Sequence, residues 1–122
     1  MEVSVITNEL RDICYKAAES RGWWTDLETG ERLERNQGEL MMLMVSEIAE
    51  AMEAARKNRM DDHLPNRPGL EVELADCVIR IMDFAGGFGL DIGGALQEKL
   101  AYNAQRADHS IEHRKGEHGK KF

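Results

Sequence analysis

The chain contains few aromatic residues, few prolines and few cysteines, and each shortage narrows the structures it can adopt. Only 6% of its 122 residues are aromatic, whereas methionine, leucine, alanine and glutamate are plentiful. That composition favours helices over strands. The two prolines, Pro65 and Pro68, lie in one short segment, so the helix-breaking residues are confined to a single place. These features predict an all-α protein.

The same shortages bear on the compartment and the partners. Two cysteines, Cys14 and Cys77, are too few for a disulfide framework and predict a reduced, cytoplasmic protein. No secretory signal is evident at the N-terminus, and no apolar run approaches the roughly 18 residues that cross a bilayer. We therefore expect no membrane partner. A net charge of −7 argues against a nucleic-acid polymer as partner but allows a nucleotide bound through divalent cations.

Apolar periodicity and its breaks predict one domain, residues 1–122, built as a four-helix-type bundle. The ranges expected to be helical are 4–21, 38–58, 68–85 and 91–108. The loop before the third helix is RMDDHLPNRPG, and GGFG at 86–89 is the break after it. We expect the basic tail, residues 109–122, to be mobile or ordered by a ligand. A bundle of this size can leave an apolar face for a partner, which predicts a homodimer or homotetramer.

Carboxylates stand among apolar residues on two of these helices. In the second helix, SEIAE places Glu47 and Glu50 at i and i+3, and at about 100° per residue both project among apolar side chains. In the third, ELAD repeats the pattern with Glu73 and Asp76. Such pairs also occur on solvated surfaces, and Asp76 could pair with Arg80 one turn further on. Because four converging carboxylates would repel each other without a cation, the two pairs together predict a shared metal site.

The donor atoms of these acids indicate which metal they would hold. All-oxygen ligation favours Mg²⁺, with Mn²⁺ as a possible substitute, over zinc. Di-iron bundles use a histidine three residues after a glutamate on two helices, and neither acid pair is accompanied by one. Mg²⁺-assisted phosphoryl or pyrophosphoryl chemistry therefore fits better.

The fourth predicted helix carries a polar face that suits a phosphorylated ligand. Its segment QEKLAYNAQR places Lys99, Tyr102, Asn103 and Arg106 at i, i+3, i+4 and i+7. This spacing puts an ammonium, a phenol, an amide and a guanidinium on one side, a set that can hold phosphate oxygens and a sugar or base. An ordinary solvated face is the alternative.

Two other features have two interpretations each. Trp23 and Trp24 could stack on a base, or one or both could anchor the first helix to the core. Lys120, in the basic tail, could contact phosphates in the same or a neighbouring subunit, or could belong to a solvated end of the chain.

Together these motifs resemble the MazG-like all-α nucleoside triphosphate pyrophosphohydrolases. The family pattern EExxE…ExxD is matched by SEIAE and ELAD, followed by a lysine and an asparagine four residues apart, over residues 38–122. Ser46 stands where the family has its first glutamate. The resemblance implies cleavage of a (d)NTP between its α- and β-phosphates, giving a nucleoside monophosphate and pyrophosphate, in nucleotide-pool house-cleaning.

The resemblance also assigns roles to residues. It implies that four acids bind Mg²⁺: Glu47, Glu50, Glu73 and Asp76. One of them, Glu50 or Glu47, would accept a proton from the attacking water. The expected contacts with phosphates or sugar come from Lys99, Asn103 and Arg106, with Tyr102 packing near the nucleotide.

Two other functions are compatible with the sequence. The chain could be a non-catalytic helical interaction module whose Met- and Leu-rich face binds a partner. It could also be a pyrophosphohydrolase of another phosphorylated metabolite, such as a phosphoribosyl nucleotide.

Overall fold

The computed structural model describes residues 2–106 and 110–122, and its regular structure is helical throughout them. The helices are α1 (Val3–Ser20), α2 (Gln37–Arg56), α3 (Gly69–Gly87), α4 (Ile92–Gln105) and α5 (Ile111–Lys115). Two isolated β-bridges, Thr25 with Arg32 and Met60 with Pro68, fasten the loops on either side of α2. The predicted all-α class is therefore confirmed. None of these helices is long and apolar enough to cross a membrane.

The helix ends lie close to the predicted ones, with two informative differences. The third helix ends within GGFG as predicted, but two residues later than expected: it includes Gly86 and Gly87, whose missing side chains leave the space that Tyr15 and Trp24 occupy. The basic tail, expected to be mobile or ordered by a ligand, contains the short helix α5. The predicted end of the fourth helix at residue 108 falls outside the described residues.

The described residues form two compact units, of which the first is built on the starts of α1 and α4. It holds the described residues of Met1–Asn8 and Asp91–Phe122, while the second unit is Glu9–Leu90. In the first unit, the side-chain oxygen of Asn8 accepts a hydrogen bond from the backbone N–H of Gly93 at 2.8 Å. Gly93 is buried, and a Cβ there would overlap the carbonyl oxygen of Ser4. Glycine is therefore required where the two helices meet.

In the second unit, α2 and α3 pack as an antiparallel pair with small residues at their contact. Ala54 and Cys77 are buried, and a Cβ added to Gly69 would lie 3.0 Å from the Cβ of Ala54. The Cys77 thiol donates a hydrogen bond to the carbonyl oxygen of Met44 at 3.5 Å. These close contacts fix the register of the two helices, which decides which polar side chains face each other.

Trp24 anchors the second unit. It is only 1% exposed, and its indole N–H donates a hydrogen bond to Oδ1 of Asp83 at 2.8 Å. Its ring packs edge to face against Tyr15 and Phe88, with centroids 5.8 and 5.5 Å away. Trp23, by contrast, is 62% exposed. Of the two interpretations of the tryptophan pair, the anchoring one therefore holds for Trp24.

Candidate metal centre

Three of the four predicted acids converge on the α2–α3 pair. Glu47 of α2 and Glu73 and Asp76 of α3 each offer one carboxylate oxygen, and the three oxygens lie within 4.8 Å of one another. The spacing of three residues puts Glu73 and Asp76 on one face of α3, and the antiparallel register brings Glu47 opposite them. Glu47 is buried, whereas the other two are partly exposed.

Crowding perturbs the protonation of all three carboxyl groups. A hydrogen bond with Glu47, together with burial and the neighbouring Glu50, raises the pKa of Glu73 to about 8. Burial and the negative charge of Glu47 raise the pKa of Asp76. Burial acts in the same direction on Glu47, but hydrogen bonds with Glu73 and Arg80 outweigh it and lower the pKa of Glu47. Without a metal, the pKa of Glu73 thus lies well above the usual range of a carboxyl group.

Arg80 is the cation of this cluster, and it pairs across the two helices. Its Nε donates to Oε1 of Glu47 at 2.9 Å, with side-chain exposures of 40% and 10%. The sequence offered Asp76, four residues away on the same helix, as the partner of Arg80. The interhelical pair forms instead, and nothing in the spacing of residues along α3 reveals it.

Glu50 lies beside the three converging acids rather than among them. It is exposed, and it lines a cavity of about 290 Å³ together with Glu73. Arg59 and Asp61, from the loop before α3, also line this cavity. No spacing in the sequence marks either loop residue, because only the folded loop brings them to the cavity that Glu50 and Glu73 line. Asp61 is held in place by hydrogen bonds from the backbone N–H groups of His63 and Leu64 to its Oδ2, at 3.0 and 2.8 Å.

The donor set of the three converging acids fits a hard divalent cation. All three donors are carboxylate oxygens, which are the ligands that Mg²⁺ and Mn²⁺ prefer in proteins. A divalent cation would compensate the repulsion that keeps Glu73 protonated, since metal binding needs deprotonated ligands and removes their protons. Glu47, Glu73 and Asp76 could therefore hold a metal ion.

The polar face predicted on the fourth helix is present on α4, in the other compact unit. The Lys99 ammonium lies 4.8 Å from the centroid of the Tyr102 ring, and the Arg106 guanidinium lies 5.8 Å from it. The side-chain oxygen of Asn103 is buried and has no hydrogen-bond partner among the described residues. That this face binds the same substrate as the acids of α2 and α3 stays a prediction.

The two remaining candidates lie at separate places. Trp23 precedes the buried Trp24 and presents its ring to solvent. Lys120 belongs to the tail that follows α5, where it lines a second cavity with other basic residues. The ligand contacts predicted for Trp23 and Lys120 stay predictions.

We expect Arg80→Gln to destabilise the protein in the absence of metal. The change leaves the carboxylate of Glu47 buried and without its cation, which should lower the free energy of unfolding by about 1–3 kcal/mol. This is less than for a fully buried pair, because the Arg80 side chain is 40% exposed. Urea unfolding followed by circular dichroism, in EDTA, measures the change.

A double variant and a surface control sharpen the measurement on Arg80. Removing both charges with Glu47→Gln and Arg80→Gln should cost less than removing Arg80 alone, because no unpaired charge is left. Arg67→Gln, which breaks an exposed pair with Glu71, should change stability by no more than about 0.5 kcal/mol. Equal stability losses in Arg80→Gln and Arg67→Gln would contradict the prediction.

Comparisons with known proteins identify no relative. No protein-family model, curated protein or solved structure matches this chain. The resemblance to MazG-like enzymes rests on the SEIAE and ELAD motifs and on the acids that these motifs place together. Membership of that family stays a prediction.

Proposed function

We propose that this protein is a Mg²⁺-dependent pyrophosphohydrolase of (deoxy)nucleoside triphosphates, releasing a nucleoside monophosphate and pyrophosphate. The observation that carries the proposal is the convergence of Glu47, Glu73 and Asp76 within 4.8 Å across two helices. Three carboxylate oxygens at this separation suit a divalent cation, which would also offset the crowding that raises the pKa of Glu73 to about 8. The reaction itself comes from the MazG resemblance of the same motifs.

We assign two roles to the acids of the site: some are metal ligands, and one is the general base. Glu47, Glu73 and Asp76 would hold Mg²⁺, which would supply positive charge to the triphosphate and lower the pKa of a bound water. Glu47 suits the role of a metal ligand, because burial restricts its side chain and the ion pair with Arg80 favours its charged form. Glu50 is exposed at the neighbouring cavity, and we assign it the acceptance of the proton of the water.

The face of α4 carries groups that suit a phosphorylated ligand. Lys99 and Arg106, on either side of Tyr102, offer two positive charges to phosphate oxygens. The unpaired oxygen of Asn103 is an acceptor that a sugar hydroxyl would satisfy, since a buried polar atom without a partner is unfavourable. The exposed ring of Trp23 is available to stack on a base.

We also propose that the protein acts as a homo-oligomer. Large apolar side chains remain exposed in the single chain, among them Ile13 at 66%, Met42 at 63% and Met52 at 56%. Exposed apolar side chains are unfavourable in water, and contact with a second copy of the chain would bury them. A dimer or tetramer is therefore expected, and analytical ultracentrifugation measures its mass.

The activity is tested by product analysis. Purified protein is incubated with each (d)NTP and Mg²⁺, and anion-exchange chromatography separates the products. Monophosphate and pyrophosphate in equal amounts are expected from at least one substrate. Inorganic phosphate with a diphosphate, or no product from any nucleotide, would contradict the proposal. A parallel panel of other phosphorylated metabolites tests the related hydrolase.

The exposed apolar residues also support a second candidate, a non-catalytic interaction module. Thermal melts separate it from the enzyme, because a ligand that binds only the folded state raises the melting temperature. Mg²⁺ and nucleotides should raise the melting temperature of the enzyme. A melting temperature indifferent to both would favour the interaction module.

A further inference from the structure

The chain from Ser110 to Phe122 folds back on itself around α5. Ser110 caps the helix, its hydroxyl accepting a hydrogen bond from the backbone N–H of His113 at 3.1 Å. After the helix, the chain returns, and the guanidinium of Arg114 donates to the carbonyl oxygens of Lys120 and Lys121 at 3.2 and 3.3 Å. One arginine thus holds two consecutive lysines beside the helix.

Glycine at position 119 makes this return possible. An added Cβ would lie 2.5 Å from the carbonyl oxygen of Arg114 and 2.6 Å from that of His113. These atoms are backbone atoms, so they cannot move aside as the end of a flexible side chain can. Any larger residue at Gly119 would push the two lysines away from α5.

The return creates a cavity with a strongly basic lining. Its volume is about 310 Å³, and its lining residues are Ile111, Arg114, Lys115, Lys120 and Lys121. The two glutamates of the segment, Glu112 and Glu117, are not part of this lining. Four of the five described lining residues are thus cationic, in a chain whose net charge is −7. Cationic side chains that line one cavity attract an anion, and several of them can contact it at once.

We infer that this basic cavity of the tail binds a chain of two or more phosphates. An oligophosphate carries several charges on closely spaced oxygens, so it can contact several of the four cations at once. The guanidinium of Arg114 has five N–H donors, and the two hydrogen bonds to the returning chain leave donors for a ligand. A single carboxylate or a chloride ion would offset only one charge.

The choice of ligand rests on the proposed function, whose substrate and product both carry such phosphates. The triphosphate of the substrate and the released pyrophosphate share this chemistry. The described lining residues of this cavity all lie within residues 110–122, and the binding that we infer needs no metal. Its failure and the failure of the pyrophosphohydrolase activity can therefore be told apart.

The test measures binding of inorganic pyrophosphate to the full chain in EDTA, by isothermal titration calorimetry at low ionic strength. Under these conditions neither metal binding nor hydrolysis contributes. Replacing both lysines, Lys120→Gln with Lys121→Gln, should weaken binding about tenfold, since two charges next to the anion are lost. The matched control, Lys16→Gln with Arg21→Gln on exposed positions of the other unit, removes the same charge and should leave the affinity unchanged.

A third variant tests the shape of the cavity rather than its charge. Gly119→Ala keeps every cation but displaces the returning chain, and it should also weaken pyrophosphate binding severalfold. Circular dichroism verifies that each variant stays folded. Wild-type protein that fails to bind pyrophosphate, or a control variant weakened as much as the lysine variant, would overturn the inference. So would undiminished binding by Gly119→Ala.

ATP and AMP test whether the cavity recognises the phosphate chain or the nucleoside of a nucleotide. ATP and pyrophosphate should bind with similar affinity if the cavity takes the phosphate chain of either, and AMP should bind about tenfold more weakly because it has one phosphate. Equal affinities for AMP and ATP would mean that the nucleoside rather than the phosphate chain is recognised, which also overturns the inference.

Discussion

Replacing Asp76 by asparagine should lower kcat/KM for (d)NTP hydrolysis by about 10²–10³, because it removes a negative ligand from the cluster that we propose holds the metal. Glu47→Gln should have a similar effect, since the two side chains offer oxygens within 4.8 Å of each other. Both changes should also weaken Mg²⁺ binding. Steady-state kinetics over a range of Mg²⁺ concentrations measures the two effects together, and more Mg²⁺ should restore part of the activity.

Glu50→Gln should behave differently, because Glu50 lies beside the three converging acids and is assigned the role of base. We expect kcat to fall by about 10²–10⁴ while the Mg²⁺ dependence stays near that of the wild type. Glu39→Gln, an exposed acid in the first turn of the same helix, is the matched control and should keep its activity. Full turnover in Asp76→Asn would remove Asp76 from the site, and an altered Mg²⁺ dependence in Glu50→Gln would make Glu50 a ligand.

The acids of this site could be found from sequence because each helix is regular. At 3.6 residues per turn, Glu73 and Asp76 must share a face, and acids among apolar residues are unusual enough to mark that face as a candidate site. Two such pairs on consecutive helices were enough to predict that they meet. The all-α class followed from composition and periodicity in the same way.

The partner of Arg80 could not be found, because it depends on the register between two helices. The close contact of Gly69 with Ala54 sets that register to within one residue, and a shift by one residue would remove Glu47 from the reach of Arg80. Periodicity along one helix carries no information about this distance.

The exact end of α3 and the fold of the tail could not be predicted, for a related reason. Glycines usually mark a helix end, and α3 does end within GGFG, but it includes Gly86 and Gly87 because the side chains of Tyr15 and Trp24 occupy the space that side chains there would need. In the tail, Gly119 serves the close approach of two backbone segments. In each case, a residue that is not adjacent in the sequence lies too close to allow a side chain at the glycine, and the local sequence does not reveal this contact.

Trp24→Ala should lower the free energy of unfolding by about 3–5 kcal/mol, a large part of the stability of a domain of this size. The change empties the space between Tyr15 and Phe88, whose rings pack edge to face against the indole. It also removes the N–H that donates to Asp83, whose pKa burial already raises. Urea unfolding followed by circular dichroism measures the loss.

The neighbouring tryptophan is the matched control for this change. Trp23→Ala removes the same side chain from a position that is 62% exposed, and it should alter stability by no more than about 0.5 kcal/mol. Fluorescence checks the assignment independently, since the remaining Trp24 should emit at shorter wavelength than the remaining Trp23. Because Trp24 joins the loop before α2 to the part of α3 beyond Asp76, its loss should also loosen the register that brings the acids together. Equal destabilisation by the two changes would contradict the anchoring role of Trp24.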